Sequence, residues 1–369
     1  MKKLFEELQN TVSGEILYDE LSLGMYSTDA SIYQIKPIAI VLPRNEDDIK
    51  SAIKVAFDNG ITILPRGAGT SLAGQTVGKS IILDFSKHMN SIIEINESEK
   101  WVRVQPGMAR DDLNAVLEPL GLHFAPDPAT SSRANVGGMV GNNSSGTKSV
   151  LFGKTVDHVL EVNVVLAEGT ELHLKNCSPE EYQKKASQEN REGEIYRTIK
   201  DLIDAHTDEI KERFPKVMRR VGGYNLDEFV YTDQWNLSKL VCGSEGTLAT
   251  TVDLKLNLVD LPKNKSVCVV HFTELLEAIS AVEIILTFNP SAVEILDKTV
   301  IGLSRKNLMT KHHCHFIEGN PAAILIVEFY ADTAEDVMER PKKMITLLEE
   351  TNFGYAYPLF PDGKSYSDV

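Results

Sequence analysis

Pro65-Arg66-Gly67-Ala68-Gly69-Thr70-Ser71-Leu72-Ala73-Gly74-Gln75 follows without a break on Ile61-Thr62-Ile63-Leu64, an apolar run that reads as a buried strand. Gly67, Gly69 and Gly74 let the backbone turn tightly and aim successive N–H groups at one point, which makes an anion nest. The hydroxyls of Thr70 and Ser71 add donors. A strand running straight into such a nest suits a pyrophosphate better than a plain surface turn does. Two familiar phosphate motifs fail here. The dinucleotide fingerprint GxGxxG breaks because Gly67-x-Gly69 is followed by Leu72 where glycine is needed. The P-loop GxxxxGK breaks at Gln75, and Gly141 to Lys148 has Thr147 and Lys148 in reversed order. With no lysine to meet terminal phosphates, an NTPase is a poor reading.

Outward from the nest, residues 36–172 alternate strands with helices. Residues 38–42 form an apolar run closed by Pro43. Asn45 is a good N-cap, with Glu46, Asp47 and Asp48 in the first turn, where the helix dipole favours negative charge. Ile49, Ile53, Ala56 and Phe57 then repeat at helical spacing until Gly60. Further strands are expected at 81–85 and 101–104. A short helix carries Leu113, Val116, Leu117 and Leu120 and ends at Gly121. A hairpin is expected over 159–174, turning at Glu168-Gly169. Residues 179–235 read as mostly helical. Strand character returns over 240–258, and Pro262 marks a boundary. Beyond it the pattern strand 266–272, helix 274–288, strand 292–297, helix 299–310, strand 322–330, helix 333–350 predicts a ferredoxin-like module.

Two more small-residue segments accompany the first. Residues 123–155 are rich in Gly, Ser, Asn and Pro, lack sustained periodicity and carry few charges, so a functional loop is expected rather than disorder. Within them stand Pro126-Asp127-Pro128-Ala129-Thr130-Ser131, Asn135-Val136-Gly137-Gly138 and Gly141-Asn142-Asn143-Ser144-Ser145-Gly146. Paired glycines allow backbone to approach a flat ligand, and Asn and Ser can pair with ring edges and phosphates. The third segment is Cys242-Gly243-Ser244-Glu245-Gly246-Thr247-Leu248. Cys242 has no histidine beside it to activate it and reads as a small buried hydrophobe.

The bulk properties exclude several classes. A net charge of −15 argues against broad nucleic-acid binding, and the one basic knot (Lys211, Arg213, Lys216, Arg219, Arg220) reads as a solvated helix end. Cys177, Cys242, Cys268 and Cys314 form no CxxC pair, so neither an iron–sulfur cluster nor a zinc ribbon is suggested, and scattered thiols fit a reducing cytoplasm. Glu6 and Glu7 interrupt any apolar leader, and no apolar stretch is long enough to span a bilayer. A cytoplasmic protein is expected, with peripheral membrane association left open.

Taken in order, PRGAGTS, NVGG, NNSSG and GSEGTL closely resemble the FAD-linked oxidases of the vanillyl-alcohol oxidase type, with its PCMH FAD-binding fold. The subgroup is that of D-lactate dehydrogenases, the FAD subunit of glycolate oxidase and D-2-hydroxyglutarate dehydrogenase. The resemblance runs from about residue 36 to 262 and includes Arg219, Gly223, Tyr224, Asn225, Leu226 and Asp227, similar to that subgroup's R-x-x-x-GYNLD segment. The NNSSGTKS wording is most similar to larger bacterial members fused to an iron–sulfur module. The resemblance implies an α+β PCMH-type domain at 36–262, after a helical extension at 1–35 and before a partial α+β cap at 263–369. It also implies an enzyme that oxidises a small D-2-hydroxy acid to the 2-oxo acid. Pro65, Arg66, Gly67, Ala68, Gly69, Thr70, Ser71 and Leu72 would hold the FAD pyrophosphate through backbone amides and the two hydroxyls. Pro128, Ala129, Thr130, Ser131, Gly137, Gly138, Asn142, Ser145 and Gly146 would line the flavin and its ribityl-phosphate arm. Val159 and Gly246 would pack near the adenine or the ring. Relatives that attach FAD covalently do so through a histidine in the first loop. That loop has none here, so noncovalent FAD is expected.

The resemblance also implies what is not found. The family's substrate arginine and metal-ligand histidines would follow the last residue, so the chain reads as cut short. On that reading it holds no catalytic acid or base, and any divalent metal belongs to the missing part. His312, His313 and His315 do not stand in that motif and read as a polar connection. The electron acceptor is left open between quinone, cytochrome and an iron–sulfur module. Two alternatives in the same fold are a catalytically silent FAD subunit for electron transfer or assembly, and a UDP-N-acetylenolpyruvylglucosamine reductase. The pattern after Pro262 and the Tyr224-Asn225-Leu226-Asp227 segment speak against the reductase.

Overall fold

The computed structural model describes residues 2–220 and 222–361. The chain divides into two units, one of residues 1–145 with 154–259 and one of residues 146–153 with 260–369.

The first unit holds two sheets. In the smaller, Ala39–Leu42, Ile81–Asp84 and Ile63–Arg66 run parallel, and Glu15–Leu17 adds an antiparallel edge to Ala39–Leu42. Ala39–Leu42 and Ile81–Asp84 are buried along their whole length, as expected of parallel strands covered on both faces. One cover is the helix Glu46–Asp58. Asn45 caps it by accepting from the Asp48 N–H at 3.0 Å, and Gly60 follows at φ +64°. Residues 2–35 supply the helix Lys2–Thr11, whose Leu4 and Leu8 join the core of this sheet with Ile49 and Ile53.

The larger sheet is antiparallel, in the order Trp235–Asn236, Glu171–Cys177, Val159–Val165, Thr250–Asn257, Trp101–Val104, Ile92–Asn96. The hairpin expected over 159–174 pairs Val159–Val165 with Glu171–Cys177. Ile92–Asn96 is a strand that the pattern did not signal, since Glu94 and Asn96 dilute the apolar alternation. The return of strand character is confined to Thr250–Asn257, because Leu240 and Val241 close a short helix, Ser238–Val241.

The expected loop over 123–155 is corrected. It contains the short helices Val136–Asn142, Ser149–Phe152 and Thr155–His158. Their turns are too brief for a 3.6-residue apolar repeat to register. Asn143 stops the first helix in the left-handed region at φ +54°.

The second unit is an antiparallel sheet ordered Ala292–Asp297, Ala323–Ala331, Asn264–Phe272, Leu359–Phe360. With helices Leu275–Leu286 and Asp336–Glu350 packed on one face through Ala278, Ala281, Ile285, Met344 and Leu348, it has the expected ferredoxin-like order. The other face buries Val267, Val269, Ile324 and Ile326 under Ile301.

Candidate cofactor site

Strand Ile63–Arg66 delivers the chain into the glycine-rich loop, and Gly69 and Gly74 adopt φ +67° and +82° there. The Arg66 guanidinium packs against Gly69 and is engaged by backbone carbonyls. Its Nη1 donates to the carbonyls of Tyr26 at 3.3 Å and Thr76 at 2.9 Å, and its Nη2 donates to that of Thr28 at 2.8 Å. The guanidinium also stacks 5.2 Å above the Tyr26 ring. The segment around residues 26–33 is thus strapped to the loop. The Ala30 N–H donates to the Gly69 carbonyl at 3.0 Å, and Thr76 Oγ1 donates to Asp29 Oδ2 at 2.9 Å. Arg66 can still serve the site through its backbone, as the resemblance implies, while its charge is spent on carbonyl oxygens.

The second segment meets the first at Asn135. A Cβ on Gly67 would stand 2.7 Å from Asn135 Oδ1, and one on Gly137 would stand 2.5 Å from Pro106 Cβ. Only glycine permits these approaches. Asn135 is buried and gives its Nδ2 to the Gly107 carbonyl at 2.7 Å, whereas its Oδ1 has no partner. A buried acceptor without a donor is costly, so it marks a place where a ligand group can be satisfied.

The third segment is held from behind. Asn225 Nδ2 donates to the carbonyls of Lys239 and Cys242, at 3.1 and 2.7 Å. Asn225 Oδ1 accepts from Arg220 Nη1 at 3.2 Å, and Arg220 is ion-paired with Asp227. The Tyr224 hydroxyl meets Thr247 Oγ1 at 2.9 Å. The Tyr224–Asp227 motif therefore buttresses the turn that begins at Cys242. The turn's other side is pinned by the Gly243 and Glu245 N–H groups, which donate to Val140 and Gly141 carbonyls at 2.9 and 2.8 Å. Cys242 is fully buried and burial pushes its thiol far up, in keeping with a packing residue.

These segments enclose two adjoining cavities. The wider, about 490 Å³, is walled by Gly67, Ala68, Gly69, Thr70, Ser71, Leu72, Pro128, Ala129, Thr130, Gly138, Asn142 and Ser145, all of them anticipated, together with Ala30, Asn135 and Ser144. The narrower, about 80 Å³, brings together Pro65, Arg66, Gly67, Ser71, Gly137, Gly138 and Gly246 with Gln75, Phe85, Val241, Glu245, Ala249 and Thr251. Gly67, Ser71, Gln75, Thr76 and Gly138 border both. Three anticipated residues line neither. Ser131 instead gives its hydroxyl to Asp111 at 3.1 Å. Val159 is 1% exposed inside the core of the larger sheet. Gly146 belongs to the second unit. Ala30 and Asn135 were missed as site residues, and so was Glu245. The sequence places Ala30 far from the nest, whereas Glu245 sits inside the small-residue segment 242–248.

Glu245 is the acid of the site. Its Oε1 accepts from Asn142 Nδ2 at 2.9 Å and from Gln75 Nε2 at 3.5 Å, joining all three segments. Burial raises its carboxyl above the usual range, more than these two hydrogen bonds lower it. His312, His313 and His315 lie in the 3₁₀ helix Lys311–Phe316, and among the described residues no group of three or more His, Cys, Asp or Glu is placed to hold a metal ion. No helix among the described residues is long and apolar enough to cross a membrane.

A strand-fed glycine nest, a donor-rich wider cavity and a narrow cleft walled by proline, phenylalanine and glycine define a site for a phosphate-bearing ligand with a flat ring. Comparison with known proteins gives the class. Residues 37–175 match the family profile described as FAD binding domain, and residues 261–357 match that of FAD linked oxidases, C-terminal domain. The chain thus carries matches to both an FAD binding domain and the C-terminal domain of FAD linked oxidases. The second match puts the C-terminal domain of FAD linked oxidases where a partial cap is expected, and among the described residues nothing supports a divalent metal. D-2-hydroxyglutarate dehydrogenase of Pseudomonas putida is 34% identical over 94% of this chain and 35% of its own length. The Escherichia coli protein of that name is 35% identical over 88% and 33%. Glycolate oxidase subunit GlcD of Bacillus subtilis is 30% identical over 79% and 52%. The chain thus spans about a third of the length of the first two relatives. Among solved structures, alkyldihydroxyacetonephosphate synthase superposes with a TM-score of 0.69 at 17% identity, over 100% of this chain and 64% of that one. The 4-ethylphenol oxidase of Gulosibacter chungangensis gives 0.65 at 15%, over 97% and 64%. Both share the PCMH-type fold.

Proposed function

We propose that this chain holds FAD noncovalently in the paired cavities and works in the oxidation of a small D-2-hydroxy acid to its 2-oxo acid. The observation that carries the reading is the convergence of three glycine-rich segments on one donor-rich cleft, in a chain with the FAD binding domain profile. Combined, the cavities suit an extended ligand with a flat end and a doubly charged middle. The amides of residues 67–72 and the Thr70, Ser71, Ser144 and Ser145 hydroxyls would hold the pyrophosphate. Asn135 Oδ1 would accept from a cofactor N–H or hydroxyl. Pro65, Phe85 and Val241 would flank a ring and keep water from one of its faces. No histidine or cysteine borders either cavity, which supports noncovalent attachment. When bound, FAD supplies the two-electron acceptor for the hydride leaving the substrate's C2. The choice of a D-2-hydroxy acid rests on relatives named D-2-hydroxyglutarate dehydrogenase and on GlcD.

The test is the visible spectrum of the purified chain, then heat release of pigment, then anaerobic addition of D-2-hydroxyglutarate, glycolate or D-lactate. Flavin bands, FAD in the supernatant and bleaching by one acid are expected. A yellow chain that no acid bleaches would favour the electron-transfer or assembly subunit. A colourless chain that cannot be reconstituted with FAD would overturn the reading.

A further inference from the structure

The cleft takes an anion, yet its charged residues are arranged against that use. Of the residues lining the two cavities, Arg66 and Glu245 alone carry ionisable side chains. Arg66 is engaged by backbone, donating to the Tyr26, Thr28 and Thr76 carbonyls. Glu245 faces in. Its backbone sits at φ +52°, a region that is strained for a non-glycine residue, although Gly243 and Gly246 beside it use the same region without strain. The groups packed on the carboxyl from the first loop and from the helix Val136–Asn142 are Gln75 and Asn142, both neutral. Among the described residues no cation is recorded against Glu245.

Glu245 lines the narrower cavity, but its partners Asn142 and Gln75 border the wider one, where the pyrophosphate would lie. An ionised carboxylate that close to an anion in a half-buried cleft is repelled, because little water screens the pair. A neutral acid removes the repulsion and adds an O–H donor. We propose that Glu245 takes up a proton from solvent when FAD binds, so that the loaded site holds it as a neutral acid and hydrogen-bond donor. The inference rests on the FAD reading of the same site. Burial already raises the carboxyl in the free protein, so the uptake needs only a further push in the same direction. Glu245 also ties Gln75 to Asn142, so the proton is placed at the junction of the three segments.

The experiment is FAD binding by fluorescence quenching across the neutral pH range, for the wild type and for Glu245→Gln, which keeps size and backbone and has no charge. Wild-type Kd is expected to rise with pH, approaching about tenfold per pH unit, the limit for one proton. Glu245→Gln is expected to bind with a flat profile and to exceed wild-type affinity at the alkaline end. Calorimetry of the wild type in two buffers of different ionisation heat should show net proton uptake, and this arm stands even if the variant folds poorly. Equal pH slopes in both proteins, or an apparent enthalpy independent of buffer, would overturn the inference while leaving FAD binding intact. Failure to bind FAD at any pH would overturn the reading of the site itself.

Discussion

Replacing Asn225 with alanine removes three hydrogen bonds from a residue that touches neither cavity. The side chain is 1% exposed, and its loss orphans the Lys239 and Cys242 carbonyls and takes one acceptor from the Arg220 guanidinium. A buried hydrogen bond contributes about 1 kcal/mol net, and each orphaned group costs about 1–3 kcal/mol. Water entering the vacated space recovers part of this, and Arg220 keeps Asp227. A loss of about 3 kcal/mol to the first unit is expected. Trp101 and Trp235, the chain's two tryptophans, both lie in that unit, so their emission during urea titration follows it alone. At a slope of about 3 kcal/mol per molar urea the midpoint falls by about 1 M. FAD affinity should drop by at least about tenfold, equivalent to about 1.4 kcal/mol, because the Cys242 carbonyl begins the turn that carries Glu245 and Gly246. Asn225→Asp should be no milder, since it keeps the acceptor for Arg220 and loses both donors. A midpoint shift below about 0.3 M for Asn225→Ala, with unchanged FAD affinity, would refute the buttress.

The two adjacent glycines of the helix Val136–Asn142 should separate stability from binding. Gly137→Ala puts a methyl 2.5 Å from Pro106 Cβ and should cost about 1–3 kcal/mol in a urea melt. Gly138→Ala meets no protein atom within 4 Å yet projects into both cavities, so it should leave the melt unchanged and weaken FAD binding in a quenching titration. Burial alone would raise Glu161, but hydrogen bonds from His173, Lys255 and Arg103 outweigh it and bring the carboxyl to about 2. That lies below the unfolded value of about 4.3, so its stabilisation is full above that pH and is lost as pH falls through about 2. Glu161→Gln should flatten the acid limb of a tryptophan-monitored stability profile. Because the one cation that lines the cleft among the described residues, Arg66, is bound to backbone carbonyls, FAD affinity should hold or rise slightly as salt screens the acidic protein, and a steep fall with salt would show ion-paired phosphates instead.

The nest was legible because its signal is local: an apolar strand, then Gly67, Gly69 and Gly74 with hydroxyls between. The ferredoxin-like module was legible for the same reason, with long alternations and few breaks. What the sequence does not show is a side chain's direction where a distant segment sets it. Arg66 stands in the nest, but the carbonyls that take its charge belong to Tyr26, Thr28 and Thr76, and only folding brings Tyr26 and Thr28 there. Val159 opens a strand and points into the core of the larger sheet, a facing that period-two alternation leaves ambiguous at a strand's first residue. Asn135 was quoted within a motif, but its value lies in an orphaned oxygen beside Gly67, across a gap of more than sixty residues. Motif spacing shows which backbones bend, not which acceptors are left empty.

That distinction explains how a chain of net charge −15 can host a phosphate-bearing cofactor. A site built from lysine and arginine would draw anions by long-range attraction and would lose them to salt. Here the attraction is short-ranged: amide dipoles fixed by glycine turns and hydroxyls at 70, 71, 144 and 145. Such donors act only at contact, so their positions must be rigid. The surrounding bonds supply that rigidity, with Arg66 strapping the first segment, the Gly67 to Asn135 approach fixing the second and Asn225 holding the third. Glu245 then has a place in the same logic. An acid that bridges two loops can be tolerated beside an anion only as a neutral donor, so the residue that tightens the cradle also ties its occupancy to pH.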